Sequence, residues 1–161
     1  MDNAPLTDRL MLVPKTVAEA RSMVASMSLA DRAQVSADWL AHVYSEGEVS
    51  PWFLGYSIRL RDSGEVIGHC GFKGPPNTAG VVELAYGLAP AFEGKGYATE
   101  AARAAVASAF TAADVRVVCA HTLTSANASA HVLTKCGFRH SGEVMDPDDG
   151  LVQRWEIERD P

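Results

Sequence analysis

The chain has 161 residues, 47% of them hydrophobic and 21% charged, and a formal net charge of −6. Length and balance fit a single globular domain over residues 1–161, able to bury roughly 70% of its unfolded surface. The acidic balance argues against nucleic acid as a partner, because phosphate binding needs a basic footprint. No apolar run approaches the ~18 residues of a membrane span.

Thr7 to Pro14 carries Leu10, Met11, Leu12 and Val13 and reads as a short strand closed by proline. Thr16 to Ser26 and Ser28 to Tyr44 read as two helices, the second with Ser28 as N-cap and apolar residues at helical spacing. Its inner face would bury Trp39, Leu40 and Val43. Phe53 to Arg61 and Glu65 to Phe72 read as strands joined by the hairpin signal Asp62-Ser63-Gly64. After the loop Gly74-Pro75-Pro76-Asn77 comes an apolar strand, Val81 to Leu88, which Pro90 breaks. A helix from Gly96 to about Ala112 shows Ala101, Ala104, Ala105, Ala109 and Ala112, small residues suited to close approach on a sheet. Val115 to His121 is the next strand, so strand, helix and strand form a parallel unit. Asn127 to Cys136 is a last helix ended by Gly137, and Phe138 to Val144 and Val152 to Arg159 close the chain as a hairpin.

Three cysteines, Cys70, Cys119 and Cys136, are odd in number and far apart, with no Cys-x-x-Cys pair. They read as reduced, mostly buried thiols. The first residues lack a signal-peptide pattern, and a cytoplasmic location is the expectation.

The chemistry concentrates at Leu88 to Thr99. Gly94 and Gly96 permit backbone torsions that a Cβ would forbid. The helix that starts beside them aims its unpaired N–H groups and positive dipole end at the loop. Strand, glycine loop and helix N-terminus together suit a phosphate or pyrophosphate. Gly94-Lys95-Gly96 is not a P-loop, since it lacks the following Ser or Thr.

The string Gly94-Lys95-Gly96-Tyr97-Ala98-Thr99-Glu100-Ala101 resembles the acetyl-CoA signature of the GNAT superfamily of N-acetyltransferases, and most closely its ribosomal-protein N-terminal acetyltransferase subgroup. Two further stretches resemble that family: Asp62-Ser63-Gly64-Glu65-Val66-Ile67-Gly68, and Ser129-Ala130-His131-Val132-Leu133-Thr134-Lys135-Cys136-Gly137-Phe138. The resemblance implies an α/β fold: a central, mostly antiparallel mixed sheet with one parallel strand pair at the cofactor site, flanked by about four helices. It implies acetyl-CoA as co-substrate, held by Leu88, Gly94, Lys95, Gly96, Tyr97, Ala98 and Thr99. Three residues before Ser129 the family usually has Asn; this chain has Ala126 there and Asn127 next, to which the cofactor contact is carried over. Glu93 stands where relatives have Gln or Arg, and is expected to point away from the anion. Leu133 occupies the place of the tyrosine acid of many relatives, which leaves Ser129, the acid proposed in the ribosomal-protein subgroup.

The reaction itself dictates what else is needed. Acetyl transfer to an amine requires a neutral nitrogen, a polarised thioester carbonyl and a proton for the departing thiolate. At pH 7 an α-amine is neutral ~10–20% of the time, so a water held by a carboxylate suffices as base. Glu83, charged within an apolar strand, is the candidate, or else it simply faces solvent on the alternating side. Ser129 is either the acid or a helix-capping hydroxyl. Backbone N–H groups near Leu88 would polarise the carbonyl. Cys119 and His121 share a strand face and admit a nucleophile pair, though two half-buried strand residues explain them more simply. The other histidines have no metal-ligand spacing. Arg103 and Lys135 either reach cofactor phosphates or lie solvated.

The expected activity is transfer of acetyl from acetyl-CoA to a primary amine, on a small molecule or a peptide N-terminus, by a monomer or homodimer. Two rivals are a module of the same fold that binds acyl-CoA without turnover and a transferase using another acyl donor.

Overall fold

Strands of alternating burial and helices with one apolar stripe leave a single way to cover both: helices laid on the faces of one sheet. The computed structural model describes residues 5–33, 35–125, 127–147 and 149–160, and the side chain of Asn127 also lies outside what is described. The strands are β1 (Leu10–Pro14), β2 (Tyr56–Leu60), β3 (Val66–Phe72), β4 (Val81–Leu88), β5 (Val117–Leu123), β6 (Arg139–Asp146) and β7 (Gly150–Glu158). They form one sheet in the order β1-β2-β3-β4-β5-β7-β6. Every pair is antiparallel except β4 with β5, which is parallel and registers only Val81 with Val117, Val82 with Val118 and Glu83 with Cys119. Beyond Glu83 the two strands separate while β4 continues along β3 to Leu88.

The helices are α1 (Val17–Ser26), α2 (Leu29–Ala33), α3 (Ala37–Val43), α4 (Pro51–Leu54), α5 (Tyr97–Phe110) and α6 (Asn127–Lys135). Among the described residues this is two more α-helices than expected, for two local reasons. The helix predicted over Ser28 to Tyr44 is two: Ser28 Oγ accepts from Asp31 N–H at 3.1 Å, but Ser36 caps a second start by accepting from Trp39 N–H at 3.4 Å. The strand predicted from Phe53 begins three residues later. Ser50 caps a single helical turn with Pro51 at its first position, and Trp52 and Phe53 belong to that turn.

Helix α5 packs four fully buried alanines, Ala101, Ala102, Ala105 and Ala109, on a sheet face that carries Val82 and Leu84 of β4 and Leu10, Leu12, Ile58 and Ile67. The absence of long side chains lets the helix lie close to the strand, which fixes its first turn beside the end of β4. The opposite face of β3 and β4 carries His69 beside Gly87, Gly71 beside Ala85, and Lys73 beside Glu83, since residues paired across a ladder share a face. Among the described residues no helix is long and apolar enough to cross a membrane. All three cysteines are free thiols; Cys70 and Cys119 are buried and Cys136 is half-buried.

Candidate active site

Where β4 and β5 separate, main-chain groups of β4 lose a partner. Lys73 N–H donates to Glu83 O at 3.0 Å and Ala89 N–H to Ile67 O at 2.8 Å, so the odd-numbered residues of β4 use their polar groups on β3. By the alternation of an antiparallel ladder, those of Leu84, Tyr86 and Leu88 point into the gap towards β5. A carbonyl oxygen entering that gap would meet fixed N–H donors without reorganisation.

A groove of about 540 Å³ opens on the α5 side of this gap, walled by Tyr86, Gly87 and Leu88, by Glu93, Gly94, Gly96, Ala98 and Thr99, and by Ser129, His131 and Lys135 on α6. Both loop glycines have positive φ, +74° at Gly94 and +85° at Gly96, and a Cβ at Gly94 would meet nothing within 4 Å. Gly96 is the N-cap of α5 and offers no side chain, so the first-turn amides remain open to an anion. The loop is braced from behind. Arg9 donates to Lys95 O at 3.1 Å, pairs with Glu100 at 2.9 Å and lies 4.3 Å over the Tyr97 ring. Thr7 also donates a short hydrogen bond to Glu100.

The predicted site residues fall into three groups. Leu88, Gly94, Gly96, Ala98, Thr99 and Ser129 line the groove. Lys95 and Tyr97 do not: the Lys95 ammonium lies 6.0 Å over the Phe92 ring, and Tyr97 packs under Arg9. Asn127 begins α6, but its side chain is outside the described residues. Glu93 is exposed and lines the groove. Lys135 also lines the groove, whereas Arg103 donates to the Lys135 carbonyl at 2.8 Å and ties α5 to α6. Leu133 is buried in the core.

Glu83 lies on the far side of the sheet from the groove. Its Oε2 is 2.9 Å from Lys73 Nζ and 2.9 Å from His121 Nδ1, and its side chain is 22% exposed. The imidazole contact is close but poorly angled for a hydrogen bond. Burial alone would lower the Lys73 pKa, but Glu83, Asp146 and Asp149 together hold it above its ordinary value. Cys119 completes the cluster, its ligand atom within 4.8 Å of the others. Burial pushes that thiol up to about 11, which removes it as a nucleophile near neutral pH. The Lys73 ammonium stands 2.9 Å from the same Glu83 oxygen that the imidazole approaches, so that carboxylate is shared between an ion pair and the ring.

Two features escaped the sequence reading. Tyr86 puts a buried hydroxyl on the groove wall, interacting with Ser129 outside ideal hydrogen-bond geometry, and burial pushes its pKa up to about 12. Its signal was a polar tip at an alternate position between Leu84 and Leu88. The second is a cavity of about 310 Å³ on the Glu83 side, roofed by Met23, Met27, Trp39 and Phe53 and floored by Gly55, Gly71 and Ala85. Trp39 Nε1 donates to Phe53 O at 2.7 Å and fixes that roof.

A splayed strand pair thus stands beside a glycine loop at a helix start, with the groove on one face of the sheet and the smaller cavity on the other. The sequence matches the acetyltransferase (GNAT) domain family over residues 6–139, and the chain belongs to that family. A relative from Bacillus licheniformis, the uncharacterized N-acetyltransferase p20, is 30% identical over 91 residues, covering 56% of this chain and 51% of that protein. The matched stretch thus spans about half the length of that curated relative. An acetyltransferase structure from Agrobacterium tumefaciens superposes with a TM-score of 0.68 at 22% identity, covering 99% of this chain and 96% of that one. The ribosomal α-N-protein acetyltransferase RimL, in complex with coenzyme A, superposes with a TM-score of 0.70 at 18% identity, over 96% and 97% of the two chains. At those identities the likeness is one of fold.

Proposed function

We propose that this protein transfers acetyl from acetyl-CoA to a primary amine. The observation that carries the reading is the gap between β4 and β5: Glu83 is the last paired residue, Leu88 the last of its strand, and the groove beside the gap is walled by Tyr86, Leu88 and the glycine loop. The groove residues fit the cofactor, because a glycine cradle at positive φ and an uncapped helix start present amides to a pyrophosphate. RimL, of the same fold, is named as a coenzyme A complex.

When bound, acetyl-CoA supplies a thioester carbon that bonds to the amine nitrogen as the C–S bond breaks and the thiolate leaves. The chain's share is then specific. The N–H groups of Tyr86 and Leu88 stabilise the charge that grows on the carbonyl oxygen. Glu83 orients a water that removes the amine proton, with Lys73 and His121 fixing the carboxylate. Ser129, with Tyr86 behind it, delivers a proton to the thiolate. Engagement of Glu83 by the Lys73 ammonium and by contact with the His121 imidazole favours one second reading, a module that binds acyl-CoA without turnover. A screen of small amines and N-terminal peptides, with thiol release as the readout, tests the proposal: release that depends on an amine supports it, and binding with no release on any acceptor supports the second reading.

A further inference from the structure

The cavity on the Glu83 side has opposite electrical character at its two ends. Near β4 the lining carries Asp149 and Lys73, and Lys73 is ion-paired to Glu83, so that both carboxylates act on its single positive charge. At the far end stands Lys15, which follows β1 and is linked to the same row of the sheet through its N–H, donating to Gly55 O at 2.9 Å. Among the described residues Lys15 has no carboxylate within ion-pair distance; its Nζ has only the Met23 sulfur at 3.6 Å. Its neighbours leave the charge uncompensated. The Cys70 thiol, pushed by burial up to about 12, is neutral. Burial and Lys15 itself lower the His69 pKa, which keeps that ring neutral as well. Glu19, the one carboxylate that acts on Lys15, does so at a distance and lies exposed, accepting from Thr16. A half-buried ammonium without a counter-ion is costly, and burial lowers the Lys15 pKa accordingly.

Between the two ends the floor is almost bare. Gly55 and Gly71 lie so close that a Cβ on Gly71 would come within 2.7 Å of the Gly55 Cα, and Ala85 is paired with Gly71. The roof is apolar: Met23, Met27, Trp39 and Phe53. We propose that the acceptor is a zwitterion, an amine with an apolar body and a carboxylate, its amine towards Glu83 and its carboxylate on the Lys15 ammonium. The inference rests on the acetyl-transfer reading above and narrows its acceptor. Polyamines and other polycations are the wrong class, because a second positive charge would lie against Lys15.

The test pairs apolar amino acids and short apolar peptides with the amides of the same compounds, and adds spermidine, under acetyl-CoA saturation. Free acids should exceed their amides by about ten- to a hundredfold in kcat/KM, the worth of a hydrogen-bonded charge pair. Lys15→Met should collapse that ratio to about one, and Lys15→Arg should retain it. Melting temperature and acetyl-CoA affinity, read alongside, show that the Lys15→Met protein is folded and loaded. Turnover with equal use of acids and amides, a preference for spermidine, or an unchanged ratio in Lys15→Met overturns the zwitterion assignment while leaving acetyl transfer standing. Absence of turnover with every amine overturns both.

Discussion

Lys73 and Glu83 meet twice across the β3–β4 ladder, by a main-chain hydrogen bond of 3.0 Å and by an ion pair of 2.9 Å between Nζ and Oε2. The first sets the register and the second holds the carboxylate on the sheet face opposite the groove. Because the Lys73 side chain is 42% exposed, the pair adds little to stability, and its value lies in orientation.

Glu83→Gln keeps the shape of that contact and removes the charge. Turnover at pH 7 should fall by ~10²–10⁴, the range for general base catalysis. The loss should shrink as pH approaches the acceptor's own pKa, because solution then supplies neutral amine. Acetyl-CoA affinity should hold, since Glu83 lies on the other face from the groove. Full activity of Glu83→Gln at pH 7 would place the base elsewhere.

Gly96→Val should weaken acetyl-CoA binding and leave the fold intact. At φ +85° a β-branched residue is strained by ~1–2 kcal/mol, and its Cβ would press within 3.3 Å of Arg9 Nη2, the group that braces the loop. In the parent protein a hundredfold excess of acetyl-CoA over its dissociation constant should add about 2.7 kcal/mol to stability. Melting curves with and without acetyl-CoA check both; an undiminished shift in Gly96→Val would mean the loop does not hold the cofactor.

The link between Glu100, Thr7 and Arg9 should make the loop acid-sensitive. Burial would raise the Glu100 pKa, but hydrogen bonds from Thr7 and Arg9 and the guanidinium charge bring it below the ordinary carboxylate value. A depressed folded-state pKa contributes stability that is present above the unfolded value and lost as pH falls through the folded one. Acidification below ~4 should therefore loosen the link, and Glu100→Gln should remove that part of the acid response at a cost of up to ~1 kcal/mol, given the exposed guanidinium. Acid unfolding of the two proteins compares them directly, and identical curves would refute the link.

Ser129→Ala should slow turnover less than Glu83→Gln, because a thiol of pKa about 8.5 leaves tolerably without help. The deficit should vanish at high pH, where the product thiolate needs no proton. Tyr86, protonated through neutral pH with a pKa of about 12, should add no step to the pH profile there. If Ser129 and Tyr86 act as one donor pair, the double variant Ser129→Ala with Tyr86→Phe should lose less than the product of the single losses. Strict multiplicativity would separate their roles.

The glycine loop was legible because its chemistry is local: two glycines, a broken strand and a helix start lie within a dozen residues. The alanines of α5 announced a close-packed helix for the same reason. What the sequence hid depends on register and distance. Lys73 reaches Glu83 only through the β3–β4 pairing, and Arg9 braces a loop 86 residues away. The helical turn at Pro51–Leu54 carried its own marks, a capping serine followed by proline, but Trp52 and Phe53 have the composition of a strand. The break before Ser36 went unread because the apolar spacing continues across it. The cavity of about 310 Å³ needs both misjudged segments, since Trp39 and Phe53 form its roof.

One reaction tests the central claim most directly: acetyl-CoA and an apolar zwitterionic amine with the protein at neutral pH, measuring free thiol and acetylated amine in the same sample. The account predicts the two products in equal amounts, both dependent on the amine and both sharply reduced in Glu83→Gln. Thiol without acetylated amine, or tight acetyl-CoA binding with neither product across the acceptor panel, would contradict it.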